Sequence, residues 1–139
     1  MSEQRNAYKG RSLRAWLRFA FRNAAGVSAD IELIVDTGSP MGLILNPTLF
    51  DEYVFDLGKP TATNFGPMET GWFQLQMSGG GAAEIVRGYR SEPVGKMATK
   101  SHPDFAGLVG LPILRLGVYG GDATNFWFRS PSLQPPGTP

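Results

Sequence analysis

The chain has no cysteine and a single histidine, His102. The first absence excludes disulfides, thiolate metal sites and thiol nucleophiles. The second leaves too few ligands for a histidine-built metal centre. Charged residues make up only 18%, and a net charge of +1 sets up no field that would draw the protein to nucleic acid or to an anionic membrane. No apolar run is long enough to span a bilayer. The opening MSEQRNAYKG is polar, unlike a secretory leader. The expectation is a cytoplasmic protein with no metal, no cofactor and neither a nucleic-acid nor a membrane partner.

Glycine and proline, by contrast, are plentiful, with Gly 18 and Pro 11 in 139 residues. They cut the chain into short segments, which favours an all-β fold over a helical one. The length suits one domain, and a hydrophobic content of 42% is enough for a proper core. We expect a flexible N-terminus over residues 1–10, a folded domain over 11–129 and a disordered Pro-rich tail over 130–139.

Residues 13–22, LRAWLRFAFR, fit two periods. Helical spacing gathers Arg11, Arg14, Arg18 and Arg22 on one face. Strand spacing puts Leu13, Ala15, Leu17, Phe19 and Phe21 on one face, with Trp16 and three arginines opposite. The strand is preferred because its core side has no polar exception, and NAAGVSA after it reads as a turn. Residues 31–35 then pair back as a hairpin. Further on, GLIL (42–45) reads as a buried strand and NPTLFDEYVF holds a helical turn near Pro47. Residues 62–77 read as a hairpin with its tip at 66–71, and its return strand alternates Phe73, Leu75 and Met77 against Trp72, Gln74 and Gln76. SGGG (78–81) reads as a turn, AEIVRGYR (83–90) as a strand and NFWFR (125–129) as a last strand. LPILRLG (111–117) reads as a short helix, because Pro112 suits a first turn and Gly117 a stop.

An almost unbroken apolar strand ends on a carboxylate in IELIVDTGSP (31–40). This VDTGS segment resembles the active-site motif of aspartic proteases. FAGLVGLPILRL (105–116) is similar to the second signature of that family, two hydrophobics and a glycine (Leu108, Val109, Gly110) followed by a helix. A Gly-flanked hairpin lies between them. The order of strand, DTG, strand, hairpin, strand, second motif, helix and last strand resembles a bacterial retropepsin-like protease of clan AA, across most of residues 12–129. The resemblance implies an all-β, retropepsin-like acid protease barrel with one short helix after the second motif.

It also implies a chemistry. Two carboxylates a few ångströms apart hold one water, and like charges that close share a proton. The ionised member takes a proton from the water while the protonated member polarises the scissile carbonyl. Asp36 is then catalytic. Thr37, Gly38 and Ser39 form its loop, and Leu108, Val109 and Gly110 support it from beneath. Gly66, Pro67, Met68, Glu69, Thr70 and Gly71 form a flap over substrate. The chain carries one DTG, so a second Asp36 must come from a second copy, and the partners expected are a homodimer mate and a peptide or protein substrate.

Pro40 departs from the pattern, replacing a residue that usually carries a hydroxyl and removing a backbone N–H. The alternative reading is a non-catalytic, dimeric, retropepsin-like module that binds peptide, and a third is a β-barrel interaction domain with an accidental DTG, Asp36 then being a turn residue bonded to its own loop. SHPD (101–104) is a turn rather than a hydrolase triad, since adjacent residues do not readily adopt triad geometry. GGD (120–122) lacks the Lys-Ser/Thr of a phosphate loop.

Overall fold

A computed structural model describes residues 2–10, 13–64, 66–77, 83–96 and 106–130. β1 (Ser2–Ala7) stands where a flexible arm was expected. Its sequence, SEQRNA, has no apolar alternation, and polar side chains anchor it instead. Gln4 donates to the Arg18 carbonyl (2.8 Å) and accepts from the Arg18 N–H (2.6 Å), while Asn6 donates to the Trp16 carbonyl (2.9 Å). Two side-chain amides thus do the work of a strand edge.

β2 (Trp16–Arg22) is a strand, as its alternation predicts. Leu17, Phe19 and Phe21 are buried, while Arg18 and Arg22 face solvent. Leu13, expected on the core side, is exposed in the preceding turn at φ 48°. β3 (Ser28–Asp36) pairs antiparallel with β2, setting Leu17 opposite Leu33 and Phe19 opposite Ile31. Leu33 and Ile34 point to opposite faces yet both are buried. Burial on two sides explains why the run before Asp36 is nearly continuous rather than alternating.

β4 (Leu43–Leu45) leads into α1 (Pro47–Tyr53), which Asn46 caps by accepting the Leu49 N–H at 2.8 Å, with Pro47 in the first turn. β5 (Asp56–Leu57), β6 (Thr61–Thr63), β7 (Gly66–Met68) and β8 (Thr70–Met77) follow. Then come β9 (Glu84–Arg90), α2 (Glu92–Lys96), β10 (Gly107–Gly110), α3 (Leu111–Leu114), β11 (Val118–Gly121) and β12 (Asn125–Ser130). The helix expected after the second motif is α3; α1 is longer than one turn, and α2 was not foreseen. The SGGG turn, residues 99–105 and the tail beyond Ser130 lie outside the described residues.

The strands β2-β3-β10-β4-β9-β8 form a sheet that closes on itself through β2–β8, with β5 added beside β8. The result is the all-β barrel expected. A second sheet, β1-β12-β11, packs Phe128 edge-on against Phe19 at 6.2 Å between ring centres. Phe21, Phe50, Tyr53 and Phe73 make further edge-to-face pairs, so aromatic rings fill the barrel. Among the described residues, no helix is long and apolar enough to cross a membrane.

Candidate active site

Asp36 is the last residue of β3 and is half-buried. The chain turns at once. The Asp36 side chain (Oδ1) accepts from the Gly38 N–H at 3.1 Å, and its carbonyl accepts from the Ser39 N–H at 3.1 Å. Such a turn orients the carboxylate while leaving its other oxygen outside these bonds. Ser39 is buried and reaches across Pro40. Its Oγ donates to the Met41 carbonyl (3.0 Å) and accepts from the Met41 N–H (3.2 Å). The loop is therefore braced by Ser39 on the inside, although Pro40 carries no hydroxyl.

The second motif lies directly alongside. β10 runs parallel to β3, with Leu108 beside Ile34, Val109 beside Val35 and Gly110 beside Asp36. On its other edge β10 pairs antiparallel with β4. Val109 is fully buried. The Gly110 N–H donates to the Gly42 carbonyl at 2.8 Å, and the Leu111 N–H donates to the Ser39 carbonyl at 3.1 Å. A side chain at Gly110 would sit 2.0 Å from the Met41 carbonyl oxygen and 2.9 Å from Ser39 Cβ. Thus the loop bearing Asp36 rests on the second motif so closely that only glycine fits. Thr37 and Gly38, in contrast, are exposed. Among the described residues the Thr37 hydroxyl has no hydrogen-bond partner, and a Cβ at Gly38 would meet only Asp36 Oδ1 at 3.4 Å.

The expected flap is a hairpin, but it turns earlier than the glycines suggested. β6 and β7 pair with Thr63 opposite Gly66, so the chain turns before Gly66 and not at 66–71. Gly66 has φ +91°, which only glycine adopts without strain, and Thr63 Oγ1 donates to its carbonyl at 2.6 Å. Gly66, Pro67 and Met68 are the returning strand. Thr70 and Gly71 belong to the barrel wall. Thr70 is buried and bonds the Lys59 carbonyl at 2.7 Å, while a Cβ on Gly71 would lie 2.4 Å from Val54. At the hairpin base Arg87 donates to Thr61 at 2.7 Å.

Pro67, Met68 and Glu69 line a cavity of about 550 Å³ together with Met41, Ile44, Leu108 and, from α2, Val94. The hairpin therefore shares one cavity with the second motif, through Leu108, and with the segment that follows DTG, through Met41 and Ile44; Asp36 itself does not line it. Sequence reading missed Met41, Ile44, Arg90, Glu92 and Val94. A signal for α2 was present: Ser91 caps it by accepting the Val94 N–H at 3.2 Å, with a proline two residues after the cap. Arg90 lines the same cavity and is bound by Asp51 and Glu92. The Asp51 hydrogen bond holds the guanidinium pKa above its usual value, opposed by desolvation and helped by Glu92. Among the described residues no group of three or more His, Cys, Asp or Glu is gathered as metal ligands. SHPD lies outside the described residues. The GGD aspartate, Asp122, binds the backbone of its own turn.

No protein-family model matches the chain, and no curated protein matches it in sequence. Among solved structures it is similar to a retropepsin-like aspartic protease from Rickettsia conorii, with a TM-score of 0.58 over 93% of each chain at 15% identity. Strand order, the parallel contact of the two motifs and this likeness together establish that the chain has a retropepsin-like fold.

Proposed function

We propose that this protein is an aspartic endopeptidase working as a homodimer, with Asp36 from each copy at a two-fold axis. The observation that carries the reading is the parallel seating of Gly110 against Asp36, which fixes a half-buried carboxylate at the end of a barrel strand, beside a second motif whose Leu108 lines a substrate-sized cavity. A lone carboxylate is a poor catalyst for amide hydrolysis. A pair can divide the work, one taking a proton from water and the other giving a hydrogen bond to the carbonyl. The attacking oxygen adds to the carbonyl carbon, and the leaving nitrogen departs with a proton.

The exposed Thr37 hydroxyl and the unfilled space above Gly38 suit contact with a second copy of the same loop. Pro67, Met68 and Glu69 would cover a bound peptide. Gly66 allows the hairpin turn, and Thr70 and Gly71 anchor the hairpin to the wall rather than touch substrate.

The test is cleavage of an unstructured protein at mildly acid pH. Wild type is expected to cut, and Asp36→Asn to lose all activity while keeping its fold by circular dichroism. Cleavage that survives Asp36→Asn contradicts the reading. Peptide binding by wild type without turnover would select the non-catalytic dimeric module instead.

A further inference from the structure

The cavity beneath the hairpin has an unusual combination of wall and mouth. Its wall is apolar, built from Met41, Ile44, Met68, Val94 and Leu108. Its mouth carries charge: Arg90, Glu69 and Glu92 all border it, and Arg90 is the sole cation among the described lining residues. That cation is already occupied. Asp51 holds it through two contacts, at 3.1 and 3.4 Å, and Glu92 through a third at 2.8 Å. Glu69 is left with a distant contact, 3.9 Å from Arg90 Nε, and its side chain is 64% exposed. Three carboxylates surround one guanidinium, so the mouth keeps an excess of negative charge.

We propose that this cavity is a specificity pocket for a long cationic side chain, lysine or arginine, on the substrate. The inference rests on the endopeptidase reading for its setting, but its content is the pocket's choice of occupant. The methylene stem of such a residue covers apolar surface while its charged head stays near water. Here the stem would lie along Met41, Met68, Val94 and Leu108, and the head would reach Glu69. A purely aliphatic side chain would fill the wall but leave the negative mouth uncompensated. An acidic one would meet repulsion from Glu69 and Glu92. Because Arg90 is neutralised by its own partners, it offers little to a carboxylate ligand. Backbone geometry keeps Glu69 in place, since its carbonyl accepts from the Arg90 N–H at 2.9 Å.

Peptides that share one apolar core and differ at one flanking position (lysine, norleucine or glutamate) test the proposal. Norleucine keeps the stem and removes the charge. Binding is read by fluorescence anisotropy with Asp36→Asn, which separates recognition from chemistry, and kcat/KM is read with wild type. Lysine at the responsive position should be preferred over norleucine by about three- to fivefold, the scale of a partly exposed ion pair. Glutamate should be worst, and added salt should shrink the spread. Glu69→Gln should bring the lysine peptide down towards the norleucine peptide, and Glu69→Lys should reverse the order of lysine and glutamate. Equal binding of lysine and norleucine at every position, or a lysine preference unchanged in Glu69→Gln, overturns the pocket assignment. Cleavage without a lysine preference removes the pocket assignment and keeps the endopeptidase. A lysine preference in binding with no cleavage by wild type keeps the pocket and removes the endopeptidase.

Discussion

Two glycines of the site face opposite demands. Gly110 is hemmed in by backbone of its own chain, whereas Gly38 has room for a methyl group. Gly110→Ala must push the Met41 carbonyl or the Ser39 loop aside, and we expect it to cost about 1–3 kcal/mol in urea unfolding. Gly38→Ala should change stability by no more than about 0.5 kcal/mol, yet abolish cleavage, because on the proposed dimer its neighbours are the partner loop and substrate. A Gly38→Ala protein that is both stable and fully active would separate this glycine from the site. At this scale the sequence was readable where a short motif carries a steric requirement. The adjacency of Asp36 and Gly110 is what the resemblance of DTG and LVG to the family's two motifs implies. Pro40 carries no hydroxyl, and beside it Ser39 braces the loop through bonds to Met41 that depend on a loop conformation spacing does not reveal.

Elements with strict alternation were legible for a simple reason: one buried face forces a period of two. β2 and β8 are of this kind, while β3 was legible from its continuous apolar run. β1 was not legible, since its anchoring lies in the Gln4 and Asn6 amides and in pairing with β12, the far end of the chain. The hairpin tip was misjudged because glycines drew the turn to 66–71, whereas only Gly66 there has a left-handed conformation and the other end, Gly71, is a packing glycine. Two predictions belong to this scale. Asn46→Ala removes the cap of α1 and should cost about 1 kcal/mol, read as a lower midpoint in urea. The turn between β11 and β12 is built on Asp122, whose carboxylate accepts the N–H groups of Thr124 and Asn125 at 2.9 and 2.8 Å. Those backbone bonds lower its pKa below the ordinary aspartate value of 3.8, against weak desolvation. A group whose pKa is lower in the folded state stabilises above its unfolded pKa, and that stabilisation fades as pH falls through the folded value. Hydrogen exchange at Thr124 and Asn125 should therefore show the turn loosening below about pH 4. In Asp122→Asn that pH dependence should be absent.

At the scale of the molecule, the all-β class was readable from punctuation and order; the barrel came with the family resemblance, and which strands close it, β2 and β8, was not readable. Closure joins residues far apart in the chain, and no local pattern encodes it. The same scale carries the proposed dimer. A barrel with one DTG presents one carboxylate, and the exposed loop at Thr37 and Gly38 is where a second would meet it. The absence of cysteine makes this directly measurable. Thr37→Cys introduces the chain's sole thiol at the proposed axis, and Val27→Cys places one in the exposed turn between β2 and β3. Under mild oxidation, non-reducing electrophoresis should show a covalent dimer for Thr37→Cys, formed at low protein concentration, and monomer for Val27→Cys. Monomer from both, or equal crosslinking of the two, would contradict the meeting of two Asp36 loops.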